Sequence, residues 1–189
     1  MGRWPTGARE RLRTAALDLF EQAGYEQVTV AEIAARAGVT ERTFYRYFAD
    51  KREVLFAGGD DLRRRMTDAV AAAAPTADAA TLVSVALDAL AAAFPDDFRP
   101  HARRRGALVN SQAALREREM LKLASLKEEL ASALEAHGVA SVRAAVAAES
   151  AIGVFHVAFA RWVGEDERRD LAQLQREALA ELRAVVMWV

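Results

Sequence analysis

AGVTERTFYRYF, residues 37–48, is the stretch on which the fold turns. It crowds Phe44, Tyr45, Tyr47 and Phe48 together with Arg42, Arg46, Thr40 and Thr43. Two of the chain's three tyrosines stand here. On a helix at about 100° per residue, Phe44 and Phe48 share one side, with Val39 leading into it. Arg42 and Arg46 fall on the opposite side. Thr43 and Tyr45 flank the arginines, and Tyr47 sits at the edge of the apolar face. One face anchors; the other presents hydrogen-bond donors.

Working upstream, Thr29 and Glu32 in TVAEIAARAG have the spacing of a capping box, in which each side chain satisfies an amide at a helix start. Val30, Ile33, Ala34 and Ala37 form the apolar face of that helix. Gly38 suits the left-handed position that closes it. Earlier still, Leu12, Ala16, Leu19, Phe20 and Ala23 recur at helical spacing up to Gly24. Downstream, Thr40 caps a short helix to about Phe48, and Asp50 with Glu53 opens a helix expected to run to about Met66. Two helices joined by a tight glycine turn, the second bearing exposed Arg, Thr and Tyr, describe a helix-turn-helix whose second helix fits a DNA major groove. An arginine fork donates to O6 and N7 of guanine. Thr and Tyr hydroxyls reach phosphate oxygens, and Lys51 adds positive field. Each residue also has a structural reading: solvated arginines, tyrosines shielding a core, threonines that only cap. Capping and phosphate contact are compatible. The joint pattern favours the DNA reading.

The remainder is helical as well. Helices are expected over 76–94 from a Thr76 cap, over 100–111 with Pro100 in the first turn, and over 111–137, 140–163 and 166–187. VAAAAPTADAA, residues 70–80, reads as an inter-helix turn. No strand alternation and no repeat is present. The fold class is all-α: an N-terminal three-helix helix-turn-helix domain, 1–50, followed by a larger helical domain, 51–189.

Composition narrows the function. Of 189 residues, 52% are hydrophobic, with abundant alanine that favours helix. The net charge of -1 hides local asymmetry and leaves a nucleic-acid partner open. With no cysteine, disulfides, thiolate zinc sites and cysteine nucleophiles are excluded. AIGVFHVAFA, the longest apolar run, is half of the roughly 20 residues a membrane span needs. MGRWPTGARERLR lacks a signal-peptide core. A cytoplasmic protein without a membrane partner is expected. No Gly-x-Ser-x-Gly, phosphate-cradling glycine loop or His-Glu-x-x-His occurs. His101, His137 and His156 are far apart in sequence. Catalysis, metal and cofactor are therefore not expected.

Taken together, TVAEIAARAGVTERTFYRYFADKREVL and the preceding AALDLFEQAGYEQVTV resemble the N-terminal signature of TetR-family transcriptional regulators over about residues 8–57. The resemblance implies an all-helical homodimer that binds double-stranded DNA and a small-molecule effector. It implies that Thr29, Thr40, Thr43, Tyr45, Tyr47 and Lys51 touch phosphate, and that Glu41, Arg42 and Arg46 face base edges. Ala31 occupies a position where some members carry a polar base reader. Glu41 departs from the positive surroundings; it either accepts from a cytosine amine or orients Arg42. The implied function is a repressor on a near-palindromic operator, released by its effector. The alternative is a helical protein-interaction module with a vestigial DNA motif.

For the larger part, His156 sits among Phe155, Phe159 and Trp162, as a core histidine or a ligand contact. HARRRG, residues 101–106, is either a solvated basic face or a partner for an anionic effector. Arg104, His156 and Phe159 are the candidate pocket residues. Val142, Val146, Ile152, Phe155, Phe159 and Val163 are read as one apolar face, and Leu171, Leu174, Ala178, Leu182 and Val185 as another. Such faces from two chains make a four-helix interface, with Phe155, Leu171, Leu174 and Leu182 as candidate dimer contacts. The N-terminal arm with Arg3, Trp4, Arg9, Arg11 and Arg13 adds charge beside the motif, and VVMWV at 185–189 is expected to pack.

Overall fold

The computed structural model describes residues 7–186, and the described elements are helical throughout. In chain order they are α1 Ala8–Ala23, α2 Val30–Arg36, α3 Glu41–Tyr47, a 3-10 turn Glu53–Phe56, α4 Gly59–Ala71, α5 Ala79–Ala92, a 3-10 turn Asp96–Phe98, α6 Arg99–Ser111, α7 Ala113–Ala136, α8 Ser141–Trp162 and α9 Leu171–Val186. Arg3 and Trp4, and the end of VVMWV, lie outside the described residues. Packing divides the chain into two compact units. The smaller runs to Gly58 and includes Arg104–Glu119; the larger holds Gly59–Arg103 and the chain from Met120.

In the smaller unit, α1 buries Leu12, Ala15, Ala16, Leu17 and Phe20. Leu17 does what the sequence reading assigns to Ala23, which is exposed. Gly24, at φ +85°, ends the helix and its N–H donates to the Phe20 carbonyl at 3.0 Å. α2 opens on the expected capping box: the Glu32 amide donates to Thr29 Oγ1 at 3.2 Å, and the Thr29 amide to Glu32 Oε2 at 2.8 Å. Gly38 takes φ +66° and turns the chain into α3. Phe44 and Phe48 then reach the core, their ring centroids 5.4 Å apart. Each large side chain buried there stabilises the unit by about 1.5–3 kcal/mol.

The helix expected from Asp50 to Met66 is interrupted. Asp50 does cap, accepting from the amides of Arg52 and Glu53 at 2.8 and 3.0 Å. The turn it opens buries Val54, Leu55 and Phe56 consecutively, which one face of an α-helix cannot do. Gly58 at φ +106° then breaks the path, and α4 starts afresh at Gly59.

In the larger unit, α8 packs against α5 and α9. It lays Ala144, Ala148, Ala151, Phe155, Ala158 and Trp162 into a core with Met66, Leu82, Leu90, Leu130 and Leu134. Among the described residues, α8 is the one unbroken helix long and apolar enough to cross a membrane by length and composition; one apolar side packs into this core, while Val142, Val146 and Val157 stay exposed. Two starts differ from expectation. Asp78, not Thr76, caps α5 by accepting from the Thr81 amide. α9 begins at Leu171 rather than 166, where Asp170 and Gln173 satisfy each other's amides. The intervening carbonyls are occupied: Arg103 donates to Val163 and Gly164, and Arg99 to Glu167 and Arg169.

Candidate nucleic-acid interface

The seven residues of α3 separate into an anchor and a display. Phe44 is fully buried, while Glu41, Arg42, Tyr45, Arg46 and Tyr47 are exposed. Thr40 caps the helix by accepting from the Thr43 amide at 3.2 Å, and the two hydroxyls lie 3.1 Å apart. This fixes the rotation of α3, so the capping chemistry decides which residues point outward. Arg42 makes no hydrogen bond or ion pair among the described residues, which leaves its full fork for a ligand. Glu41 makes no bond to Arg42. Arg46 is drawn along its own helix instead: its guanidinium lies 5.0 Å from the Tyr47 ring centroid and reaches the Tyr47 hydroxyl at 3.4 Å.

Around α3 the other sequence-selected residues differ in how free they are. The Thr29 hydroxyl is committed to the capping box, donating to Glu32 Oε2 at 2.8 Å. Hydrogen bonds from the Thr29 amide and then its hydroxyl hold the Glu32 carboxyl below its ordinary value. Ala31 and Arg36 are exposed on α2. Arg36 was not among the residues selected from the sequence, although a basic side chain in the last turn before Gly38 signals it. Arg11 and Arg13 are not a loose basic arm. Arg11 donates to the Ala37 carbonyl at 2.9 Å, closing α2, and Arg13 pairs with Glu10.

Lys51 departs most from its expected role. Its ammonium donates to the carbonyls of Tyr25 and Val28 at 2.7 and 3.0 Å, with Glu26 at 3.4 Å, and lies 4.4 Å from the Tyr25 ring centroid. Its donors are directed at the α1–α2 turn in this structure, so a phosphate contact would draw them from these carbonyls. Burial raises the Tyr25 phenol above its ordinary value, an effect larger than the lowering by Arg52.

HARRRG is neither a solvated face nor an anion trap. Arg104 donates to Asp18 at 2.6 Å and to both oxygens of Glu21, inside the smaller unit. Arg105 donates to the Leu55 carbonyl and to Glu119, with its guanidinium 4.9 Å from the Phe56 ring centroid. Arg104 is therefore withdrawn as an effector contact: its charge is already neutralised by two carboxylates. His156 is exposed on α8 and so is not a core histidine: it falls one residue beyond the inward Phe155. Phe159 does join an aromatic cluster in the larger unit, 5.0 Å from Phe94 and 5.5 Å from both Phe155 and Trp162 between ring centroids.

The candidate dimer contacts need the same correction. Phe155, Leu171 and Leu174 are buried within the single chain, and Leu182 packs partly against the same core. The exposed apolar residues are others: Val142 at 81%, Val146 at 61% and Val157 at 62% on α8, and Val185 at 65% on α9. The sequence reading merged two faces of α8 into one. Val142 and Val146 belong to the outer stripe, with Gly153 and His156.

Comparison with known proteins agrees with this geometry. Residues 12–57 match the model of bacterial regulatory proteins of the tetR family, and residues 77–187, more than half of the chain, match the MftR C-terminal domain. The HTH-type transcriptional regulator BetI of Cronobacter sakazakii is 40% identical over 74 residues, 39% of this chain and 37% of that protein. The HTH-type transcriptional regulator TcmR of Streptomyces glaucescens is 50% identical over 46 residues, 24% of this chain and 20% of that one. The matches thus span about a third or less of these curated relatives. In fold, the chain is similar to the transcriptional regulator FadR of Bacillus subtilis in complex with stearoyl-CoA, with a TM-score of 0.62 at 21% identity, covering 92% of this chain and 96% of that one. With both its N-terminal motif and its larger helical region matched, the chain belongs to the TetR family of transcriptional regulators.

Proposed function

We propose that this protein is a ligand-responsive DNA-binding transcriptional regulator, a homodimer that represses from a near-palindromic operator and leaves it when a small-molecule effector binds. The observation that carries the reading is α3: a buried Phe44 and two helix-fixing threonines behind an outward, unspent Arg42. Residues 1–50 carry the DNA contacts, and 51–189 the effector and dimer contacts. Arg42 reads a guanine, with Arg46 and Glu41 at neighbouring base edges. Tyr45, Tyr47, Thr43 and Thr40 lie on the flanking phosphates, where they set register, and Thr29 joins them when its hydroxyl turns from Glu32. The second copy covers the Val142, Val146, Val157 and Val185 surface, since apolar side chains presented at helical spacing gain from burial. In the operator-bound state two recognition helices stand about 34 Å apart or a near multiple. The effector acts by binding another state more tightly. The stearoyl-CoA of the structurally similar FadR makes acyl thioesters the first class to screen. The protein works in the cytoplasm, without a membrane.

The test is selection of purified protein on a random duplex library at a stated salt concentration. Enrichment of an inverted repeat is the expected result and supplies the operator. Weak, steeply salt-dependent binding without enrichment sinks the operator reading in favour of a protein-interaction module.

A further inference from the structure

Gln175 is 2% exposed and is the one buried polar or charged residue in the core among the described residues. It stands on the inward stripe of α9, between Leu171 and Leu174 on one side and Ala178 and Leu182 on the other. Neither of its amide atoms is satisfied: Nε2 has no acceptor and Oε1 no donor among the described residues. Arg99 Nε and His137 Nδ1 are also buried without a partner among the described residues, but each of those side chains bonds through its other nitrogens, whereas Gln175 makes no side-chain bond at all. The Trp162 indole donates to Asp96 at 3.2 Å, and the Arg103 guanidinium to two carbonyls. A leucine at 175 would continue the stripe with nothing left unmade, whereas a buried amide without partners is costly and uncommon in native cores.

We infer that Gln175 is the polar contact of a ligand site in the larger unit, and that its ligand is a neutral, mainly apolar molecule with a hydrogen-bond acceptor and donor side by side, as in a lactam or cis-amide. The inference rests on the ligand-responsive reading above and names a ligand chemistry different from the acyl thioesters that the similarity to FadR suggests. α9 packs against α5 and α8, whose inward residues here are apolar, among them Leu82, Ala86, Ala148 and Ala151. No lysine, arginine or histidine lies on the inward stripe of α9, so this helix offers an ionised ligand group beside Gln175 no counter-charge. A carboxamide offers its N–H and its oxygen in one plane. A lactam answers both with its carbonyl and its N–H; a ketone answers one, and a hydrocarbon neither.

The test uses the full chain, wild type and Gln175→Leu, with ε-caprolactam, cycloheptanone and cycloheptane as probes, followed by thermal unfolding and by the side-chain amide resonance of Gln175. Without probe, Gln175→Leu is expected to melt about 2–6 °C higher, since it removes unmade bonds and little volume. The lactam is expected to raise the wild-type Tm more than the ketone does, to shift the Gln175 amide resonance, and to leave the Leu variant unmoved. A Leu variant that melts lower shows an amide already satisfied, by a buried water for example, and overturns the site. So does a lactam effect that is absent in the wild type or equal in both proteins. Affinity for the selected operator is read separately. A lactam that stabilises through Gln175 yet leaves that affinity unchanged overturns the regulatory reading and keeps the site; absence of stabilisation removes the site and leaves the regulator standing.

Discussion

The Lys51 ammonium sits 2.7 Å from the carbonyl oxygen of Tyr25 and 4.4 Å from the centroid of the same residue's ring. One cation thus ties the segment after α3 to the turn before α2, 26 residues away in sequence. Charged hydrogen bonds to these carbonyls hold such a turn more firmly than neutral ones. Lys51→Met is expected to destabilise the protein by about 2–3 kcal/mol, visible as a lower Tm. The slope of operator affinity against salt stays as in the wild type. A slope shallower by about one with an unchanged Tm would return Lys51 to the phosphate contacts.

Arg42→Ala is expected to cost roughly 1–3 kcal/mol on the selected operator and to relax base preference at one position. Tyr45→Phe removes a hydroxyl without disturbing the core, so it weakens all sequences evenly. Binding titrations on the operator and on single-base variants separate the two patterns. Equal losses everywhere for Arg42→Ala would place it on phosphate.

Phe155 and Val146 are expected to fail in different ways. Phe155→Ala opens a cavity beside Phe94 and Phe159 and costs about 3–5 kcal/mol of folding stability. Val146→Glu touches an exposed position, so folding is preserved while the dimer dissociates. Sedimentation velocity with a parallel melt checks both, and a Val146→Glu protein that remains dimeric removes the outer face of α8 from the interface.

Arg104→Ala is expected to leave effector binding unchanged, because the guanidinium is spent on Asp18 and Glu21. The pairs are partly exposed, so the loss of stability stays near 1 kcal/mol. A loss of effector affinity with an unaltered melt would restore Arg104 to the site.

Acid sensitivity has a defined source in the α8–α9 loop. Hydrogen bonds from the Arg169 side chain, then from the amides of Arg169 and Arg168, bring the Glu167 carboxyl from 4.5 down to about 2. A depressed carboxyl stabilises the fold above its unfolded value. That contribution fades as pH falls from about 4.5 towards 2, where the folded-state group protonates. Glu167→Gln is therefore expected to lower Tm at pH 7 and to flatten its fall across this window, the two proteins converging towards pH 2. An unchanged acid slope would assign the sensitivity to other carboxylates.

The sequence by itself determined the local elements of the motif. Thr29 with Glu32, Thr40 with Thr43 and the glycines at 24 and 38 set helix starts and stops through bonds within a few residues, so spacing alone reveals them. The burial of Phe44 and the outward display of Arg42 follow from helical periodicity for the same reason. Tertiary structure decided what periodicity leaves degenerate. A helix such as α8 with apolar residues on two sides does not say which side meets its own chain, and only packing against α5 and α9 put Phe155 inside and Val146 outside. Partners distant in sequence decided the rest. Arg104 meets Asp18 across 86 positions and Lys51 meets Tyr25 across 26. The stripe of α9 was readable, but that Gln175 within it is buried and unsatisfied was not, because hydrogen-bond satisfaction depends on what neighbouring helices bring.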